Sequence, residues 1–92
     1  MLFRSLDDKP GPAREVLAAS QKDWIETLAT AARIAVSEGH FRENLDVDQL
    51  AYEVYCLGYG HHFMARLMRD PKAETRTRAA FARLLRDARR PH

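Results

Sequence analysis

Apolar residues recur at steps of three and four through most of the chain, the spacing of amphipathic helices rather than strands. Leu17, Trp24, Leu28, Ala31 and Ala35 form one stripe, and Ile25, Ala29, Ala32 and Val36 form its neighbour. Together they predict a helix over about residues 12–38 with a wide apolar face. Pro12 suits its first turn, and Gly39 suits the left-handed position just past its end. Asp46-Val47-Asp48-Gln49 has the form of a capping box and predicts a second helix over about 47–69. Asp70-Pro71 reads as an N-cap followed by an N1 proline. It predicts a third helix over about 71–88, with Ala73, Thr77, Ala80, Phe81, Leu84, Leu85 and Ala88 on one seam. Before Pro10, Met1 to Lys9 read as a partly ordered lead, so the expected domain spans 10–90. The fold class is all-α, a three-helix antiparallel arrangement joined by short connections.

The second helix has more apolar surface than a small monomer uses. One side carries Leu50, Ala51, Val54, Leu57 and His61, and another carries Tyr52, Tyr55, Tyr59 and Phe63. A helix lying on one core needs one apolar face, so this one is expected to be sandwiched. The third helix offers a single seam. Pairing the last two helices with a two-fold copy of themselves covers the surplus in a four-helix interface. Two-fold dimers are the commonest oligomers, so the expected state is a homodimer. Gly58 and Gly60 sit inside the second helix, where each costs about 1 kcal/mol relative to alanine. Close approach at a helix crossing and a bend beside a ligand cavity are both open readings.

Composition narrows the picture without changing it. Ninety-two residues with 46% hydrophobic and 30% charged side chains make one small globular domain. The single Cys56 excludes an intramolecular disulfide framework and fits a reducing cytoplasm, the expected location. No apolar run is long enough to span a membrane. The net charge of +2 hides an asymmetry: residues 1–63 hold 6 basic and 10 acidic side chains, and residues 64–92 hold 9 and 3. The basic end reads as a solvated helix face near a C-terminus, where cations are favoured. A phosphate-binding tail is the competing reading, but Phe81 is the one aromatic among those arginines and it belongs to the apolar seam.

No catalytic residue is expected. Asp46 and Asp48 serve as caps, Asp7 and Asp8 lie in a turn, Glu53 is isolated, and no nucleophile stands beside a base. His40, Cys56, His61 and His62 do not match a zinc spacing, because Cys56 and His61 share no helix face and adjacent histidines diverge. The reading therefore expects no enzyme, no metal and no cofactor.

Several runs in order resemble the C-terminal regulatory domain of TetR-family transcriptional regulators. These are Trp24-Ile25-Glu26-Thr27-Leu28, Ile34 to Arg42 with its Glu38-Gly39-His40-Phe41, and Leu45 to Glu53 with its Leu50-Ala51. Arg69 to Ala73 and Ala79 to Leu85 are similar to the junction into that family's last helix. The resemblance spans about residues 7–88. It implies a domain that dimerises through its last two helices and binds a small, often lipophilic effector. By position it puts Tyr55, Tyr59, His62, Phe63, Thr77, Phe81, Leu84 and Leu85 on the dimer surface. It puts Trp24, Leu28, Ala31, Leu57 and His61 at the pocket. The family reads DNA through an N-terminal helix-turn-helix domain. No such segment precedes Pro10, so this chain is expected to be the effector-sensing and dimerisation part without that head. The alternative is a stand-alone helical interaction module with no ligand.

Overall fold

A computed structural model describes residues 11–90, which form three helices and no strand. The expected lead, residues 1–9, lies outside the described residues. Helix α1 is Pro12–Ser37, α2 is Val47–Arg66 and α3 is Ala73–Arg89. The fold is all-α. Helix α2 lies between the other two, and α1 and α3 make no close backbone approach to each other. Leu50 near the start of α2 clusters with Ala32 late in α1 and Ala88 late in α3, so both neighbours run antiparallel to α2. The body measures 43 × 33 × 15 Å. A helix with its side chains is about 10–12 Å across, so the three form a single layer.

Local chemistry sets the helix ends. Gly39 adopts φ 81°, and the amides of Gly39 and His40 bond to the carbonyls of Val36 and Ala35. That double return satisfies carbonyls α1 would otherwise leave bare. Asp46 caps α2 by accepting the Gln49 amide at 3.0 Å. The start of α3 differs from its sequence reading. The Asp70 carboxylate accepts the Lys72 amide at 2.9 Å, its carbonyl accepts the Ala73 amide at 3.2 Å, and Lys72 occupies the N-cap position. Asp70-Pro71 thus shapes a turn ahead of the helix rather than its first residue. Arg69, at φ 50°, ends the run from α2 in a left-handed conformation, so α2 stops at Arg66 rather than near 69.

The core is thin. The buried side chains among the described residues are Ala29, Ala32, Leu50, Ala51, Ala73 and Ala88, and Leu50 is the one large member. Phe41, Leu45, Val47, Val54 and Leu84 pack around Leu50 half-buried. Small residues at the seams let the helices approach closely, but they bury little apolar area.

Arg42, in the α1–α2 connection, fastens that core to the end of α3. Its backbone amide donates to Ala88 O at 2.9 Å, and its guanidinium donates to Asp87 O at 2.6 Å and pairs with the Asp87 carboxylate at 3.5 Å. Carbonyls at a helix C-terminus lack helical partners and attract cations. The Arg42 side chain is 18% exposed, so solvent screens this contact less than an open surface pair. Arg42→Ala is expected to lower unfolding stability by about 1–3 kcal/mol, the cost of removing a charge-assisted bond at a part-buried site. Urea unfolding followed by circular dichroism checks this, and Arg42→Lys should recover only part of the loss because a point charge does not reproduce the fork.

Candidate functional site

Helices α1 and α2 bury small residues between them at one end and line a groove at the other. The buried residues are Ala29 and Ala32 of α1 and Leu50 and Ala51 of α2. Toward the start of α1 the facing residues are larger, and the helices border an open groove of about 540 Å³. Helix α1 contributes Leu17 and Gln21. Helix α2 contributes Tyr55, Cys56, Tyr59, Gly60, Phe63 and Met64. The i, i+4 spacing of Tyr55, Tyr59 and Phe63 puts three aromatic rings along one wall. The Tyr55 and Tyr59 rings lie 5.7 Å apart and tilted by 37°. The Tyr55 hydroxyl donates to Gln21 Oε1 across the groove. A second, smaller groove of about 260 Å³ runs between α2 and α3, with Leu57, His61, Asp70, Arg76 and Thr77 on its lining.

The residues expected at a pocket are not gathered in one place. Trp24 is 60% exposed, Ala31 is exposed and Leu28 is half-buried, and none of the three lines the α1–α2 groove. Leu57 and His61 line the α2–α3 groove instead. Of the residues expected at a dimer surface, Tyr55, Tyr59 and Phe63 line the α1–α2 groove. Thr77 lines the α2–α3 groove, and Leu84 packs half-buried against the Leu50 cluster. His62 is exposed, Leu85 is half-buried, and Phe81 is 40% exposed. No groove residue stands among those expected at a pocket: the sequence reading puts Tyr55, Tyr59 and Phe63 at the dimer surface and Leu17, Gln21, Cys56 and Met64 at neither. The available signal for Gln21 was its place four residues after Leu17 and four before Ile25, a polar residue interrupting an apolar stripe.

A carbon placed at the Cβ position of Gly58 or Gly60 meets nothing within 4 Å. Neither glycine is therefore required by a close approach among the described residues. Cys56 and His61, read from the sequence as sharing no face, both line the α2–α3 groove, but among the described residues no three of His, Cys, Asp and Glu are placed to hold a metal ion. No helix among them is long and apolar enough to cross a membrane.

The described residues thus form a flat all-α layer with an aromatic groove and several exposed apolar side chains. Residues 4–81 match the family model for the tetracyclin repressor-like C-terminal domain, and the chain belongs to that family. The family is one of transcription regulators and is not an enzyme family. Comparison with curated proteins gave no match, and comparison with solved structures gave none either.

Proposed function

We propose that this chain is the effector-sensing and dimerisation domain of a TetR-like transcriptional repressor, acting in the cytoplasm. It binds a small lipophilic effector in the α1–α2 groove and pairs with a second copy through α2 and α3. DNA is contacted by a helix-turn-helix domain that is not among these three helices. The observation that carries the effector reading is the groove itself: about 540 Å³, walled by aromatic and aliphatic side chains, with a hydrogen-bonded polar pair across it. Small-molecule sites have that make-up, and their volumes fall at roughly 300–1,000 Å³.

The dimer reading is supported by surplus apolar surface. The radius of gyration is 15.6 Å, against roughly 12 Å for a compact domain of this length. Tyr52, Leu67, Met68 and Phe81 are exposed and lie outside the α1–α2 groove, and exposed apolar surface of this kind marks an interaction site. Phe81, Leu84 and Leu85 of α3, with His62 of α2, are the residues assigned to the two-fold contact.

The effector reading is tested with prodan, a neutral naphthyl ketone dye whose emission shifts to the blue on leaving water. It is expected to bind saturably, one per chain. Tyr59→Ala should weaken binding by about tenfold, since an aromatic wall contact exceeds its plain area burial. A signal that rises without saturating, or a Tyr59→Ala affinity equal to that of the unaltered chain, would contradict the reading.

A further inference from the structure

We propose that the α1–α2 groove selects uncharged aromatic ligands that carry a hydrogen-bond acceptor such as a ring-attached carbonyl, and that the Gln21 amide reads that acceptor. This rests on the effector reading above and adds the chemical class of the ligand.

Among the described residues that line the groove there is no Asp, Glu, Lys, Arg or His. A carboxylate or ammonium entering it gives up water and meets no opposite charge on these residues, which is costly. The α2–α3 groove makes the contrast, since Asp70, Arg76 and His61 stand on its lining. The aromatic wall favours planar ligands. Tyr55 and Tyr59 already sit at a tilted, mutually attractive separation of 5.7 Å. With Phe63 they make this wall of the groove aromatic, the kind of surface against which a flat ring system packs.

The polar pair supplies direction. Tyr55 donates its hydroxyl proton to Gln21 Oε1, so the amide carbonyl is already engaged. The Gln21 Nε2 group keeps two N–H donors, and an acceptor on the ligand is what matches them. Tyr55 is a positioning residue here: its hydroxyl fixes which end of the amide is presented.

Competition against prodan on the full chain tests this with three ligands of similar size: acetylnaphthalene, ethylnaphthalene and naphthoate. Acetylnaphthalene is expected to displace the dye at about tenfold lower concentration than ethylnaphthalene, one hydrogen bond's worth, with naphthoate the weakest. Gln21→Leu should bring the acetyl and ethyl compounds within about twofold of each other, with the helical circular dichroism unchanged. Tyr55→Phe should narrow the same ratio while leaving ethylnaphthalene binding in place. Naphthoate competing as well as acetylnaphthalene, or an unchanged acetyl-to-ethyl ratio in Gln21→Leu, would overturn the selectivity and leave the effector reading standing. Failure of prodan to bind the unaltered chain would remove the effector reading and this inference with it.

Discussion

Leu50→Ala should lower the thermal midpoint by about 12–24 °C. The expectation follows from the make-up of the core. Leu50 is 7% exposed and is the single large side chain among the six buried ones. It touches the late turns of both neighbouring helices through Ala32 and Ala88, so it is where the three helices meet. Truncating a buried leucine costs about 2.7–5 kcal/mol, the larger values where surroundings cannot collapse into the space. Here the buried neighbours are alanines on helices, and the half-buried Phe41, Leu45, Val47, Val54 and Leu84 around them fill the gap only in part, which places the cost near the lower end of that range. For a domain of this size about 1 kcal/mol shifts the midpoint by roughly 4–8 °C, so a loss near 3 kcal/mol gives the stated range. Melts of both proteins at equal concentration, followed by circular dichroism, make the measurement, because association makes the midpoint depend on concentration. Leu57→Ala, at a half-buried position, should cost clearly less. A Leu50→Ala shift under about 4 °C would mean that the core lies elsewhere.

Phe81→Glu should weaken dimerisation by at least about a hundredfold while leaving the helices formed. Phe81 is 40% exposed on α3 and belongs to the seam assigned to the two-fold contact. Burying it against a partner is worth roughly 1.5–3 kcal/mol. A glutamate there removes that gain and adds the cost of desolvating a carboxylate, twice over in a symmetric interface. Every 1.4 kcal/mol is tenfold in affinity, so about 2.8 kcal/mol summed over the two symmetric sites gives the expected loss. Sedimentation equilibrium over a concentration series reads the dissociation constant. A constant within a few-fold of the unaltered protein's would show that this part of α3 faces solvent in the assembly.

Much of the helical layout was legible because it is written in local chemistry. Gly39 ends α1 and Asp46 caps α2 through contacts a few residues away, and the spacing of apolar residues gives each helix its face. Asp70-Pro71 misled for a related reason. The carboxylate does accept nearby amides, but the same pattern serves a turn as well as a helix start. What periodicity omits is how two faces meet. It shows that Leu17, Leu28 and Ala32 lie near one face of α1, but not that small residues are buried against α2 at one end while Leu17 and Gln21 line a groove at the other. The groove depends on that pairing of faces, so Gln21 entered it unforeseen and Trp24 stayed outside. Arg42 is a further case: its partners on α3 lie 45 residues away in sequence, and no local pattern announces such a contact.

The central claim is that a second copy of the chain completes this thin layer of helices. Sedimentation equilibrium of the unaltered chain at micromolar concentration tests it most directly. The account predicts a particle of about twice 10.6 kDa. A particle of 10.6 kDa that persists as concentration rises would contradict it.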